Sequence, residues 1–240
     1  MKTQVVGFDL EQYIPDGGAA SIEHPISCAV SIAARGNDST TYRWYSGALH
    51  DPDNVMDVIG TNILIDHLLE STRSGSLVVT WHGVAYDFPC LAHHSKRTAD
   101  LREIALASID LHILFMAINR HRLGLKAAAA AVGSHKGGGA VMSGSEAATT
   151  WPEAWEAVLE YCKQDVRATL DVYQKLESYG GFVWTSSKGN RKLFNLTNDI
   201  RTPDKWTTKH MLYEYKWLPA QTWITAAPSP DDAMFAWLKD

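Results

Sequence analysis

Cysteine is scarce in this chain. Cys28, Cys90 and Cys162 are its three cysteines among 240 residues. They are far apart and odd in number, with no CxxC pair. That excludes a disulfide-stapled secreted scaffold and points to a reducing, cytoplasmic (or nucleoid-associated) setting. Long apolar runs are missing as well. The opening residues MKTQVVGFDLEQY carry no signal-peptide core, and nowhere do about 18 apolar residues follow one another, so neither a secretion signal nor a membrane span is expected. Positive charge is not in excess either: 22 Lys and Arg stand against 27 Asp and Glu, a net charge of −5. This rules out the broadly basic surface of a nucleic-acid coat protein. It leaves room for an enzyme whose carboxylates work through bound cations. No internal repeat is visible, and the one low-complexity tract is the alanine run 127–131.

What the chain does have is enough apolar content, 45%, for one domain, or one domain with a C-terminal addition. QVVGFDL (4–10), ISCAVSIAA (26–34) and TTYRWYS (40–46) read as three strands with short connections, hence an antiparallel meander. The DPDN turn at 51–54 opens a helix with an apolar stripe of Val55, Ile59, Ile63 and Leu68, ending near Gly75. LVVTW (77–81) reads as a strand, 86–97 as a helix and ALASID (105–110) as a fifth strand. HILFMAINRH and LGLKAAAAAVG read as helices. Residues 134–150 read as a small-residue loop. Thr150 and Glu153 form a T-x-x-E box with Pro152 in the first turn. The helix that follows has a core stripe of Trp155, Leu159, Cys162, Val166, Leu170 and Tyr173, and Gly180 and Gly181 stop it. Tyr161 and Asp165 lie beside that stripe. This alternation predicts an α/β fold, a mixed sheet with helices on its faces.

The carboxylates raise the functional question. Asp9 and Glu11 stand two apart at the end of the first strand, so they point to one side. Two like charges there are costly unless a cation neutralises them, or unless the strand simply runs out into solvent. Asp87, in WHGVAYDFPCL, sits where any helix favours a first-turn acid. Asp165, in YCKQDVRAT, could be a solvated position near Lys163 or Arg167, and Tyr161 could be core. Each signal taken alone has such a plain explanation.

Taken in order, D-x-E, then D, then Y-x-x-x-D, the set resembles the tyrosine-bearing subfamily of the DEDD 3′–5′ exonucleases, which have an RNase H-like fold. The first motif matches at Asp9 and Glu11. The second, usually N-G-x-x-(F/Y)-D, matches at Gly83, Tyr86 and Asp87. The third matches at Tyr161 and Asp165. The sister subfamily would need a histidine where Glu160 stands. Two positions depart from the usual pattern: His82 replaces an asparagine and Gln12 replaces a Thr or Ser. The resemblance covers residues 4–180 and implies a 3′–5′ exonuclease domain over 1–181 with an accessory segment at 182–240.

The resemblance implies two Mg²⁺ or Mn²⁺ ions, which hard oxygen ligands select. Asp9, Glu11 and Asp165 would hold the ion that activates water. Asp9 would also reach the second ion, with Asp87 supporting that side, and Tyr161 would orient the water. Glu11, the backbone at Leu10, His82 and Tyr86 would meet the substrate. The expected partner is the 3′ end of a single strand, with DNA favoured over RNA, and a separate polymerase or repair protein is possible. His93 and His94 are adjacent and lack a zinc-binding frame. Trp184, Trp206, Trp217, Trp223 and Trp237, interleaved with Lys and Arg after residue 181, suit either base stacking or an accessory subdomain with buried tryptophans. Two rival readings stay open: an RNase H-type endonuclease, which shares the fold but lacks the Y-x-x-x-D helix, and a non-catalytic nucleic-acid-binding relative, against which the four intact carboxylates speak.

Overall fold

The computed structural model describes residues 3–45, 55–134, 142–151, 153–186, 188–220, 224 and 226–239. Its centre is a five-stranded mixed sheet in the order β3-β2-β1-β4-β5, built from β1 (Val5–Gln12), β2 (Ile26–Arg35), β3 (Asp38–Trp44), β4 (Leu77–Thr80) and β5 (Ile109–Asp110). The β1–β2 and β2–β3 pairs are antiparallel, whereas β1–β4 and β4–β5 are parallel, as the short early and long later connections predict. Residues Ile26 to Ala33 of β2 are all buried, because both faces of the sheet are covered.

One face holds Val6, Phe8 and Leu10 of β1 against α1 (Val58–Arg73), α2 (Asp87–Ser95), α3 (Thr98–Ala107) and α4 (Leu111–Asn119). The ring of Phe8 stacks on Phe88 at 5.8 Å. The other face holds Cys28, Val30 and Ile32 of β2 against α7 (Trp155–Tyr179) and α6 (Gly144–Thr150). Side chains alternate across a strand, so Asp9 and Glu11 fall on the α7 side. Gly7 allows α7 to lie close: a Cβ there would come within 2.8 Å of Leu170 Cγ and of Val166 Cγ1. α5 (Leu125–Ala131) packs beside α7.

Several local expectations are corrected. The DPDN turn lies outside the described residues; α1 begins at Val58, where the Asp57 carboxylate accepts from the Gly60 N–H at 2.7 Å. Its buried stripe is Thr61, Leu64, Ile65, Leu68 and Leu69, while Ile59 and Ile63 are more than half exposed. Two apolar stripes compete on this helix, and the one with paired neighbours at 64/65 and 68/69 offers the wider face to the core. ALASID is not one strand: Ala105 to Ala107 close α3, whose Leu101, Ile104 and Ala105 are buried at helical spacing, and Ile109–Asp110 alone joins the sheet. The span 134–150 is not all loop. Ser143 and Glu146 form a reciprocal capping box that starts α6. The box placed at Thr150 is absent: Thr150 ends α6, its hydroxyl donating to Glu146 O at 2.7 Å, and α7 starts after Ala154 with no side-chain cap. Pro152 lies outside the described residues.

After α7, which Gly180 terminates in the left-handed conformation, β6 (Gly181–Thr185) and β7 (Arg191–Asn195) form an antiparallel hairpin with Gly189 at φ +77 in its turn. Pro203 opens a 3-10 turn, and α8 (Thr208–Tyr213) follows. Trp206 and Trp217 are buried in the same core cluster as β1 and β4, each with its indole N–H on a backbone carbonyl, Ile200 O at 2.8 Å and Met211 O at 2.7 Å. Trp184 and Trp237 are partly buried against that core; Trp223 lies outside the described residues.

Candidate active site

The parallel pairing of β1 with β4, in register at Gly7 and Val79, brings the carboxyl ends of both strands to one edge of the sheet. Ligands of open α/β sheets bind at such ends. β1 supplies Asp9 and Glu11 there. A register irregularity between Glu11 and Gln12 ends the regular pairing with β2. β4 leads through Trp81–Tyr86 into α2, whose first residue is Asp87. Gly83 is required inside this turn, since a Cβ would meet Asp87 Oδ2 at 2.8 Å. α7 crosses the same edge with Tyr161 and Asp165, both 4% exposed.

The outcome is a pocket of about 170 Å³ lined by Asp9, Leu10, Glu11, Trp81, His82, Tyr86, Asp87, Gly144, Tyr161 and Asp165. All eight residues anticipated for catalysis, metal and substrate line it. Burial, followed by the negative charge of Asp110, pushes the Asp87 carboxyl well above the usual carboxylate range. A carboxyl held so expensively is one that a cation would return to its charged form.

The nearest sulfur is not part of a soft metal site. Ligand atoms of Asp9, Glu11 and Cys162 lie within 4.8 Å of one another. The thiol of Cys162 is fully buried, which pushes its pKa up, and it donates to Asp9 O at 3.5 Å. It therefore packs beneath the carboxylates as a neutral group. The donors that face the pocket are hard oxygens, which suit Mg²⁺ or Mn²⁺. His93 and His94 meet edge to face at 5.2 Å and belong to no metal-competent group among the described residues.

Two braces hold the rim, and the sequence reading had assigned neither. Gln12 is 3% exposed. Its Oε1 accepts from the Tyr86 hydroxyl, and its Nε2 donates to Ser21 O at 2.7 Å, His24 O at 3.3 Å and Cys90 Sγ at 3.3 Å. The second brace is Asp110. Its carboxylate accepts from the backbone N–H groups of His82 (3.0 Å), Val84 (3.0 Å) and His112 (2.9 Å), which ties the loop after β4 to the start of α4. This holds His82 at φ +70, uncommon for a non-glycine residue. The Trp237 indole N–H also donates to Val84 O at 2.8 Å, so the last residues steady the same loop. Trp81 and Gly144 were missed as lining residues. An S-x-x-E box at 143–146 was the signal for Gly144, and an acid directly before the apolar helix 111–119 was the signal for Asp110 as a cap.

Comparison with known proteins agrees with this architecture. The chain is similar in structure to the family B DNA polymerase of the hyperthermophilic archaeon Pyrobaculum calidifontis, at 19% identity and a TM-score of 0.56, over 75% of this chain and 25% of that one. The chain thus spans a quarter of the polymerase's length. A fainter likeness, 9% identity and a TM-score of 0.38, is to E. coli Exonuclease I in complex with a dT13 oligonucleotide, over 74% of this chain and 41% of that one. No curated protein matches. Residues 27–177 match the family described as the RNase H superfamily, a span that holds Asp87, Tyr161 and Asp165 and begins after Asp9 and Glu11. That span is more than half of the sequence, and the chain belongs to the RNase H superfamily.

Proposed function

We propose that the chain is a divalent-metal-dependent 3′–5′ exonuclease of the tyrosine-bearing DEDD type, acting on single-stranded nucleic acid, DNA in preference to RNA, and releasing 5′-mononucleotides. The observation that carries the reading is the convergence of Asp9, Glu11, Asp87, Tyr161 and Asp165, from β1, α2 and α7, on one small pocket. Three separate pieces of sequence have no packing reason to deliver four carboxyls to 170 Å³; a metal-assisted phosphodiester hydrolysis gives them one.

Asp9, Glu11, Asp87 and Asp165 would hold two ions. When bound, such ions supply charge neutralisation at the phosphorus and leaving oxygen, and a more acidic water. The chain's own residues do the rest. The Tyr161 hydroxyl, close to Gly144, orients the attacking water from α7. Glu11 and the backbone of Leu10 receive the terminal 3′-hydroxyl. Tyr86, fixed by Gln12, and His82, fixed by Asp110, border the strand. Attack on the last phosphodiester with the 3′ oxygen leaving gives a 5′-monophosphate. A duplex end must first unpair, which costs a few kcal/mol, so blunt duplexes should react more slowly.

The test is a panel of 5′-labelled linear strands, DNA and RNA, single and double, with Mg²⁺ and with Mn²⁺, beside a circular single strand. Stepwise shortening from the 3′ end with survival of the circle is expected. Efficient cleavage of the circle would overturn the exonuclease reading in favour of an endonuclease.

A further inference from the structure

His82 and His112 face one another with their Nδ1 atoms 2.7 Å apart. A contact that short holds one proton, on one ring, directed at the lone pair of the other. His112 is 5% exposed, and burial drives its pKa down to about 3, so its ring is neutral. Its Nε2 is buried and has no partner among the described residues. That orphan atom decides between the two arrangements. If His82 were the donor, His112 would carry its own proton on Nε2, and a buried N–H would be stranded. If His112 is the donor, the stranded atom is a bare lone pair. Orphaned buried N–H groups are the rarer defect.

The consequence falls on His82. Its backbone is fixed on Asp110, and His82 lines the pocket. With Nδ1 accepting from His112, its proton must sit on Nε2, which has no protein partner among the described residues. Arg122 is exposed and lies near enough to both imidazoles to oppose protonation of each. A cation near the two rings favours an anionic acceptor. We infer that His112 donates through Nδ1 and locks His82 as the Nε2–H tautomer, and that His82 presents this N–H to a phosphate oxygen of the bound strand. His82 is the contact and His112 a positioning residue that acts through it. The phosphate contact rests on the nuclease reading; the tautomer lock does not.

The primary test is ¹⁵N NMR of the imidazoles in the full chain at about pH 8, where both rings are neutral, without metal or substrate, assigned with His82→Asn and His112→Asn. His112 should carry its proton on Nδ1 and His82 on Nε2. A proton on His112 Nε2 or on His82 Nδ1 overturns the inference, whatever the chain hydrolyses. The functional arm uses a 5′-labelled single strand. His112→Phe should raise KM about tenfold, the loss of one charge-assisted hydrogen bond, with kcat within about threefold. His112→Asn, whose amide can donate in place of Nδ1–H, should recover most of the loss. With His82→Asn already present, adding His112→Phe should cost less than about twofold. An equal loss in both backgrounds would reduce His112 to packing and overturn its positioning role. If His112→Phe does not fold, the wild-type spectrum decides. Expected tautomers in a chain that digests no strand would end the nuclease reading, and with it the phosphate contact, while the tautomer lock stands.

Discussion

Helix α7 passes two hollows, and they differ in a way that size does not describe. Its second half, with Leu170, Asp171, Gln174, Lys175 and Glu177, lines a hollow of about 1220 Å³ near the starts of β1 and β4. Its first half, with Tyr161 and Asp165, lines the pocket of about 170 Å³ at the carboxyl ends of the same strands. In the large hollow the acids Asp171 and Glu177 are exposed to water. In the small one Asp87 and Asp165 are buried, and the scaffold spends Gly7, Gly83 and the Asp110 brace on bringing the chain close. Carboxyls kept out of water against their preference mark chemistry more surely than volume does.

The sharpest way to break this contrast is to neutralise one acid in each hollow. Asp9→Asn or Asp165→Asn should lower turnover about a thousandfold or more, the scale of losing a charge-stabilising group at a reacting centre, while the melting temperature holds or rises because like charges are relieved. Asp171→Asn should change turnover less than about twofold. Comparable losses at both places, followed by strand digestion and thermal denaturation, would erase the distinction.

A smaller effect is expected from Tyr161→Phe. Removing only the hydroxyl should slow turnover about a hundredfold and leave Mn²⁺ binding intact by calorimetry. Lost Mn²⁺ binding would make Tyr161 a structural residue.

The C-terminal segment extends the comparison to stability. Trp206→Ala should cost about 3–5 kcal/mol in denaturant unfolding, the usual price of a large buried aromatic, since its ring packs in the core that supports β1 and β4. Leu193→Ala in the hairpin, 57% exposed, should cost less than about 0.5 kcal/mol.

A further effect is in pH. His112 is held neutral, with a folded pKa of about 3 against an ordinary 6.5. Between those values the unfolded chain binds the extra proton, so this residue's contribution to stability is present above about pH 6.5 and falls as the solution is acidified, by at most about 1.4 kcal/mol per pH unit. His112→Asn should flatten the stability profile between pH 6.5 and 5 by up to that amount. An unchanged slope would show that His112 is not held neutral.

Much of this was legible in the residues. The strands announced themselves through VVGF, SCAVSIAA and LVVT, and the mixed sheet through connection length. The candidate site was legible as a set of residues: Asp9, Glu11, Asp87, Tyr161 and Asp165, singled out by a motif resemblance, line one pocket. What was hidden depended on partners remote in sequence. Ile59 and Ile63 have the spacing of a core stripe, and only the placement of the sheet shows that Leu64 and Leu68 win. Asp110 looked like the end of a strand, and its donors at His82 and Val84 become visible only when the loop after β4 meets the start of α4. The His82–His112 contact spans 30 positions, and no local pattern announces it.

The central claim is that the small pocket holds two divalent ions on four carboxylates. Mn²⁺ titration calorimetry of the full chain with 5′-dTMP present tests it most directly. Two ions per chain are expected in the wild type and in Tyr161→Phe, and at most one in Asp9→Asn. No saturable Mn²⁺ binding, or the same stoichiometry in Asp9→Asn as in the wild type, would contradict the account.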